Sequence, residues 1–318
     1  MAVTLRIATR DWDYLTPLLL GDVTSPHVDL RITRVGTLLN DLAGSKDFDA
    51  TEMSFSRYAS LMAGGGGGIL GIPCFIMRGF RHRCIITTEN SPVETLAGLR
   101  GKRIGVTGWR DSGNTWTRAA LRREGVGVED AFWIAGRLTA EHPITDRLDG
   151  FGRPGRIESD PAERPMMEML ASGDLDAVFT PFMPDGYFGR SARFRQVLRD
   201  FRAAERAYYD DVVYVPAHHI VAVKAEVAEA HPWIAEELTR MIDESQRIWT
   251  AKRRKYAETS PFMLEELIYA ARALDNDWND SGLGKNRRMI ADFAEELHVQ
   301  GILTKPISVE ALFPGFSA

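Results

Sequence analysis

The chain has 318 residues, of which 44% are apolar and 26% charged, and its formal net charge is -5. This composition is typical of a globular protein, and the length is sufficient for two hydrophobic cores. The acidic balance, without a basic segment, excludes a broad nucleic-acid surface. Apolar runs stay short of the ~20 residues that a membrane span requires, so we expect no membrane partner.

The first part of the chain alternates between strand-like and helix-like segments. Strands are predicted over residues 5–7, 28–32, 48–53 and 68–76, and helices over 37–43 and 56–63. This alternation predicts a parallel sheet covered by helices.

A β-rich segment at 84–88 is followed by Asn90, Ser91 and Pro92, which indicates entry into a second lobe. That lobe continues through predicted helices over 115–124 and 165–173 and predicted strands over 131–134 and 175–179. The apolar segments 212–216 and 220–224 predict a second crossover, and the chain from residue 225 onward is mainly helical. We therefore expect a two-lobed α/β protein, with lobe 1 formed by 1–86 and 219–318 and lobe 2 by 87–218.

The chain contains two cysteines, Cys74 and Cys84, whose spacing matches neither a zinc site nor a redox pair. The amino-terminal residues 3–9 read as a strand of the fold, where an exported protein would carry a signal peptide. Both features favour a cytoplasmic protein.

Several segments in combination resemble the 4,5-dihydroxyphthalate decarboxylases along the whole chain. They are 12–14 (Trp-Asp-Tyr), 52–58 (Glu-Met-Ser-Phe-Ser-Arg-Tyr), 78–82 (Arg-Gly-Phe-Arg-His), 215–219 (Val-Pro-Ala-His-His) and 282–287 (Gly-Leu-Gly-Lys-Asn-Arg). The resemblance implies a type II periplasmic-binding-protein fold with two crossovers. It also implies a cofactor-independent carboxy-lyase acting on a hydroxylated aromatic carboxylate.

Such a decarboxylation needs a proton on the ring carbon that bears the carboxylate, a base for the phenol, and cations for the carboxylates. It requires no metal or organic cofactor. The candidate acids are His219 and His82, on the two crossovers, and a nearby substrate carboxylate would favour their charged form. The candidate phenol bases are Glu52 and Asp13, which follow strands of lobe 1. Structural histidines, and a helix cap at Asp13, are the alternatives.

Two arginines on the first crossover, Arg81 and Arg78, can bind a carboxylate through their planar guanidinium groups, unless they form surface ion pairs. Trp12 can stack on an aromatic ring or belong to the core. His218 neighbours His219 on a strand and therefore points to the opposite face.

The hydroxyl and amide side chains that can donate to a ligand carboxylate are Ser54, Ser56, Ser112, Asn114 and Thr115. The last three surround the predicted start of a helix near Gly113, where free N–H groups favour an anion. Ordinary helix capping is the alternative for Ser54 and Ser56, and it accounts for one of the other three.

A second function fits the same fold, namely the substrate-binding protein of an ABC importer for a small organic anion. Histidines and arginines at the crossovers favour the enzyme, because capture of a ligand needs hydrogen-bond donors but no titratable acid. The partner of the enzyme is a small aromatic carboxylate, and that of the binding protein is a small aromatic or organic anion. The oligomeric state stays open, a homo-oligomer included.

Overall fold

The computed structural model describes residues 2–185, 187–190 and 192–316. Within them the strands are β1 (Val3–Thr9), β2 (Val28–Arg34), β3 (Ala50–Ser54), β4 (Ile69–Arg78), β5 (Ile85–Thr88), β6 (Arg103–Val106), β7 (Phe132–Ala135), β8 (Ile157–Glu158), β9 (Ala177–Phe179), β10 (Phe194–Gln196) and β11 (Ala217–Lys224).

The α-helices of the described residues are α1 (Thr16–Leu19), α2 (Phe55–Ala63), α3 (Ser112–Arg123), α4 (Met166–Ser172), α5 (Phe201–Val212), α6 (Ala225–Ala230), α7 (Ile234–Lys255), α8 (Met263–Ala273), α9 (Leu283–Val299) and α10 (Val309–Leu312). Among the described residues, no helix has the length and apolar character needed to cross a bilayer.

The chain divides into two compact units. The first comprises Met1–Arg78, Ala217–Ala291 and Ile307–Ala318, and the second comprises Gly79–Pro216 and Asp292–Pro306. The observed crossovers lie at 78/79 and 216/217, close to the sequence-based bounds at 86/87 and 218/219. Residues 292–306 are counted with the second unit, whereas the sequence analysis places them in lobe 1.

The first unit is built on a five-stranded sheet of order β2-β1-β3-β11-β4. Strands β1, β2 and β3 run parallel, and β11 pairs antiparallel with both β3 and β4. Leu5, Ile7, Val221 and Val223 pack into one core with the apolar side of α7. Burial of each of these side chains contributes about 1.5–3 kcal/mol. The order of strands reverses between β1 and β3, which is the edge where open α/β sheets bind ligands.

The second unit contains a six-stranded sheet of order β10-β5-β9-β6-β7-β8. Strands β9, β6, β7 and β8 run parallel, while β5 is antiparallel to β9 and β10. Ile86, Ile134, Met166, Leu170 and Val178 form a core between the sheet and α4. The strand order reverses between β6 and β9, so the loop after β6 lies at a second edge of this kind.

One predicted helix is wrong. Residues 37–43 form turns and bends, although the spacing of Leu38, Leu39 and Leu42 is helical. The side chain of Asp41 accepts a hydrogen bond from the amide of Gly44 at 2.9 Å. A local side-chain bond of this kind competes with helical hydrogen bonding, and Leu42 is buried from a turn instead.

Candidate active site

The carboxylate of Glu52 is fully buried at the edge where β1 and β3 meet. Its Oε2 accepts hydrogen bonds from Thr9 Oγ1 (2.8 Å), the amide of Arg10 (2.8 Å) and Trp12 Nε1 (2.9 Å). These donors come from the end of β1 and the loop after it, because β1 runs parallel to β3 with Ala8 beside Thr51. A buried carboxylate is stable only when it is satisfied in this way.

The other oxygen of Glu52 holds His219. Glu52 Oε1 lies 2.5 Å from His219 Nδ1. The two residues are diagonal neighbours on antiparallel strands, since His219 is opposite Ser54 and Val221 is opposite Glu52. An ionised carboxylate can only accept, so Nδ1 carries the hydrogen and Nε2 is the ring nitrogen left for other chemistry. We call these two residues the Glu52–His219 pair.

The backbone around His219 is irregular. On the β4 side, the register shifts both between Ala217 and His219 and between His219 and Val221. Irregularities of this type re-aim side chains and are common next to functional sites. The side chain of His219 keeps 12% of its surface exposed, while that of Glu52 has none. The pair therefore joins a buried carboxylate to a histidine that retains access to its surroundings.

The charge state of Glu52 follows from its neighbours. Burial raises the pKa of Glu52. The hydrogen bond and charge of His219, with the donors Arg10 and Thr9, lower it by a larger amount, so the pKa of Glu52 lies below its usual value. Glu52 is therefore ionised at neutral pH. Because protein donors occupy both of its oxygens, its geometry fits the orientation of His219 better than the predicted role of phenol base.

Asp13 does not join the pair. Its side chain is 66% exposed and lies 3.7 Å from Arg253. No hydrogen bond in the described part of the chain links it to Glu52 or His219. It is the first residue of a short 3-10 helix whose cap position is occupied by Trp12. Trp12 stacks on Tyr14 with 6.2 Å between ring centroids, and its indole N–H is used by Glu52. Trp12 is thus a support for the carboxylate in this structure.

The remaining candidates of the first unit lie close to the pair along the chain or in the sheet. Ser54 is buried at the start of α2 and is the register partner of His219, and Ser56 is buried in the first turn. Ser54 is the N-cap residue of α2, and its side chain makes no capping bond there. His218, the neighbour of His219 on β11, is buried.

Arg78 is engaged inside the first unit. Its Nη2 donates to Asn286 Oδ1 at 2.7 Å and to the carbonyl of Asp280 at 3.2 Å, and its guanidinium lies 4.9 Å from the ring centroid of Phe75. Burial lowers the pKa of Arg78 to about 10. These contacts tie β4 to the segment before α9 and to its first turns. The expected role of Arg78 as a fork for a ligand carboxylate stays a prediction.

In the second unit, the guanidinium of Arg81 is buried against the first turn of α3. Its Nε donates to Thr117 Oγ1 at 3.2 Å, and Thr117 Oγ1 in turn donates to the carbonyl of Gly113 at 2.7 Å. A Cβ placed on Gly113 would come within 3.0 Å of Arg81 Cζ and Nη2. Any larger residue at position 113 would therefore require the guanidinium to shift.

The Nη2 atom of Arg81 is buried and has no hydrogen-bond partner among the described residues. The first N–H groups of a helix likewise have no partner inside the helix. A buried cation with an unused donor beside a helix start has the chemistry to bind an anion, most simply a carboxylate. We call Arg81, Thr117 and the first turn of α3 the Arg81 anion site.

The predicted donors around this helix start differ in the hydrogen bonds that they make. Asn114 Nδ2 donates to Thr107 Oγ1 (3.1 Å) and to the carbonyl of Gly108 (2.7 Å), which holds the loop after β6. Thr115 Oγ1 donates to the carbonyl of Asp111 at 3.2 Å. Both side chains therefore support the loop, and Ser112, buried as the first residue of α3, is the hydroxyl closest in sequence to Gly113.

His82 is buried in the second unit with its ring edge-on to Tyr208, 5.4 Å between centroids. Its Nδ1 has no hydrogen-bond partner in the described part of the chain. Burial, followed by the charges of Arg123 and Arg83, lowers the pKa of His82 to about 4. These surroundings disfavour the charged form that the sequence analysis expected, and His82 is neutral at neutral pH.

Sequence reasoning missed three groups that shape the two sites. Thr9 and the amide of Arg10 are ligands of Glu52, and Gly113 provides room for Arg81. A polar residue at the end of the strand beside Glu52 was a usable signal for Thr9. A glycine in the first turn of a helix was a usable signal for close approach by another group.

Comparison with known proteins agrees with the sequence resemblance. The chain is 26% identical to a 4,5-dihydroxyphthalate decarboxylase of Comamonas testosteroni over 317 residues, covering 97% of this chain and 96% of the relative. It is 27% identical to a 4,5-dihydroxyphthalate decarboxylase of Pseudomonas putida, covering 67% of this chain and 83% of the relative. No family model matches. The resemblance to these decarboxylases is confirmed.

Solved structures confirm the fold class. The periplasmic aliphatic sulphonate binding protein SsuA from Escherichia coli matches with a TM-score of 0.58 and 13% identity, covering 99% of this chain and 92% of that one. The desulfurization enzyme DSZB matches with a TM-score of 0.51 and 16% identity, covering 98% and 96%. The same fold thus occurs in a binding protein and in an enzyme, and at these identities the likeness concerns the fold alone.

Proposed function

We propose that this chain is a decarboxylase of a hydroxylated aromatic carboxylate and that 4,5-dihydroxyphthalate, or a close analogue, is its substrate. The likeness to two decarboxylases along most of the chain supports the reaction class. The structural observation that carries the proposal is the Glu52–His219 pair, a histidine fixed by a buried, ionised carboxylate. Ligand capture alone needs no such arrangement.

The reaction proceeds by protonation of the ring. The ionised phenol of the substrate pushes electron density toward the ring carbon that bears the carboxylate. Nε2 of the protonated His219 donates its proton to that carbon, the bond to the carboxylate carbon then breaks, and its electrons restore the aromatic ring. Carbon dioxide leaves, and neutral His219 takes up a proton from water. The sum is one carboxylate and one proton converted into one C–H bond and carbon dioxide.

Glu52 acts through His219 in this scheme. Its negative charge stabilises the imidazolium before the proton is transferred, and its hydrogen bond to Nδ1 keeps Nε2 as the donor. The three donors on Oε2 fix the carboxylate itself. Glu52 is therefore a positioning residue, while His219 is the proton donor.

The Arg81 anion site supplies the second chemical requirement, a cation for a carboxylate group. The buried guanidinium with an unused Nη2 is suited to a planar carboxylate, and Gly113 admits it to the helix start. This site supports an aromatic acid, rather than a neutral phenol, as the ligand.

Two further statements belong to the proposal. The chemistry runs on side chains and a phenolate, so we propose that it uses neither a metal nor an organic cofactor. We also propose a cytoplasmic location, with the free, buried Cys74 and Cys84 in support.

The experiment that tests the proposal is an assay of carbon dioxide release from a panel of hydroxylated phthalates and benzoates, after dialysis of the protein against a chelator. We expect release from 4,5-dihydroxyphthalate and none from unsubstituted phthalate, because only the hydroxylated ring can supply a phenolate. Tight binding of the acids without any carbon dioxide would instead favour a binding protein.

A further inference from the structure

Thr9 is the last residue of β1 and is buried, with 1% of its surface exposed. Its Oγ1 lies 2.8 Å from Glu52 Oε2 and 3.3 Å from the carbonyl oxygen of Arg10. A hydroxyl has one hydrogen, and an ionised carboxylate at the shorter distance is the stronger acceptor, so Thr9 donates to Glu52. Thr9 therefore contacts the carboxylate at the oxygen that His219 leaves unused.

When the Glu52–His219 pair holds two hydrogens, it has two forms. In the ionic form both hydrogens lie on the imidazole ring and Glu52 is a carboxylate. In the neutral form the hydrogen of Nδ1 has passed to Glu52 Oε1, which leaves a carboxylic acid and a ring with one hydrogen, on Nε2. Burial favours the neutral form, because a charged carboxylate loses the solvation of water. Glu52 is fully buried, so donors from the protein must replace water for the ionic form to persist.

The hydrogen bonds to Oε2 act against the effect of burial, because a hydrogen bond to the charged form of a group favours that form. Burial raises the pKa of Glu52, whereas His219, the amide of Arg10 and the hydroxyl of Thr9 lower it. Trp12 Nε1 donates to the same oxygen as Thr9. Since the Arg10 donor belongs to the main chain, the side chains that favour the ionic form through Oε2 are Thr9 and Trp12.

Tyr14 is an ionisable group near Glu52, but it does not compete for the shared hydrogen. Its hydroxyl donates to the carbonyl of Ile76. Burial raises the pKa of Tyr14, and the charge of Glu52 raises it further. Tyr14 therefore stays neutral, and the balance between the two forms depends on the donors to Oε2.

We propose that Thr9 is a positioning residue that keeps the shared hydrogen of the Glu52–His219 pair on Nδ1 of His219. The proton-donating form of the ring is the imidazolium, which has a hydrogen on both nitrogens, whereas a neutral ring with its hydrogen on Nε2 is a far weaker acid. The consequence for turnover rests on the proposed function, but the position of the hydrogen does not.

Thr51 offers a matched control for this role. It lies on β3 directly before Glu52 and is fully buried. Its Oγ1 lies 3.2 Å from the carbonyl oxygen of Ala8 and 3.0 Å from that of Glu52, and both are main-chain acceptors. Thr9→Val and Thr51→Val therefore delete the same hydroxyl from neighbouring strands, but only Thr9→Val removes a donor to the carboxylate.

The test is ¹⁵N NMR of the full chain with labelled histidine rings, followed from about pH 8 to about pH 5, the range in which histidines commonly titrate. His219→Asn identifies the signals of His219. In the wild type we expect Nδ1 to keep the signal of a protonated nitrogen throughout. In Thr9→Val the ratio of the ionic to the neutral form should fall about 10-fold, the scale of one hydrogen bond to a charged group. The Nδ1 signal should then move toward that of an unprotonated nitrogen at the acid end.

Assays of carbon dioxide release on the same proteins separate this inference from the proposed function. The kcat of Thr9→Val should fall in proportion to the loss of the ionic form, while KM changes little. A wild type without turnover would contradict the proposed function, and the NMR comparison would still decide the role of Thr9. Turnover in the wild type with an unmoved Nδ1 signal in Thr9→Val would contradict the role of Thr9 alone.

Thr9→Ser keeps the hydroxyl and should restore the wild-type Nδ1 signal, and Thr51→Val should leave that signal in place. If circular dichroism shows that Thr9→Val does not fold, Thr9→Ala makes the same deletion with a smaller side chain. The proposal is overturned if the folded variant without the Thr9 hydroxyl has the wild-type signal, if Thr51→Val moves the signal as far, or if Thr9→Ser does not restore it.

Discussion

His219 and His82 each lie beside a crossover between the two units, yet their neighbours differ. His219 has a buried carboxylate 2.5 Å from Nδ1, whereas His82 faces the ring of Tyr208 and has no hydrogen-bond partner for Nδ1 among the described residues. Glu52 accepts the hydrogen of His219 Nδ1, while burial, with the nearby cations Arg123 and Arg83, opposes a positive charge on His82. The chemistry of a histidine is therefore set by its partner more than by its place along the chain.

A similar difference separates the two arginines of the first crossover. Arg78 donates to Asn286 and to the carbonyl of Asp280, so its guanidinium serves the packing of the first unit. Arg81 donates to Thr117 and keeps a buried Nη2 without a partner in the described residues. The surroundings of the two arginines, three residues apart, thus differ, and ligand binding is proposed for Arg81 alone. Substitutions at these four residues can sharpen or break this comparison.

The largest effect is expected at His219. His219→Asn keeps a polar side chain that can contact Glu52 but has no group able to protonate carbon near neutral pH. We expect kcat to fall by about 10²–10⁴-fold with little change in KM. Steady-state assays of carbon dioxide release measure both constants, and the same change at the neighbouring histidine, His218→Asn, is the matched control. Equal losses of kcat in the two variants would show that the effect is not specific to His219.

The next effect concerns the stability of the fold at acid pH. His82 has a pKa near 6.5 in the unfolded chain and about 4 in the folded one, so the unfolded state holds more protons between these values. The contribution of His82 to the free energy of unfolding is therefore fully present above pH ~6.5. It is lost as the pH falls toward 4, by up to about 3 kcal/mol.

Chemical denaturation of the wild type and of His82→Gln at several pH values measures this loss. The Gln variant lacks the titrating group, so we expect a flatter dependence of its unfolding free energy over the same window. Parallel curves for the two proteins would show that His82 is not held neutral.

A smaller effect on binding is expected at Arg81. Arg81→Ala removes a charged hydrogen-bond donor and should raise KM for an aromatic carboxylate by about 10–100-fold while kcat changes little. Arg81→Lys keeps the charge but lacks the planar guanidinium, so its KM should lie between those of the wild type and Arg81→Ala. If Arg81→Ala fails to fold, Thr117→Val, which removes the acceptor for Nε, tests the same site. Unchanged KM in folded variants of both residues would exclude the Arg81 anion site.

The smallest effect is expected at Gly113. Gly113→Ala adds a Cβ within 3.0 Å of the Arg81 guanidinium, which must then shift by a few tenths of an ångström. We expect KM to rise about threefold, the scale of a slight misplacement of a binding group. The rise should vanish in the Arg81→Ala background. A rise of the same size in that background would show that Gly113 acts independently of Arg81.

The sequence predicted the fold well where local patterns and tertiary packing agree. The two-lobed class, β1 to β4 and the helical carboxyl-terminal part follow from hydrophobic periodicity and the family resemblance. The predicted helix over 37–43 is wrong because Asp41 bonds locally to Gly44. The helix α5 was missed, although Asp200 caps it through a bond to the amide of Ala203.

The candidate site was harder to predict. Glu52 and His219 were both chosen from the sequence, but their pairing across β3 and β11 depends on a strand register that no local pattern reveals. The low pKa of His82 arises from burial and from Arg123, which is distant in the sequence. Residue types thus indicated the chemistry, while the roles of individual residues depended on their neighbours in space.

The most direct test of the Glu52–His219 pair is a double-mutant cycle on kcat for 4,5-dihydroxyphthalate, with Glu52→Gln, His219→Asn and the double variant. If Glu52 acts only through His219, Glu52→Gln alone lowers kcat at least about 10-fold, whereas the double variant is no slower than His219→Asn alone. Losses that multiply in the double variant would contradict the account, because the two residues would then act independently.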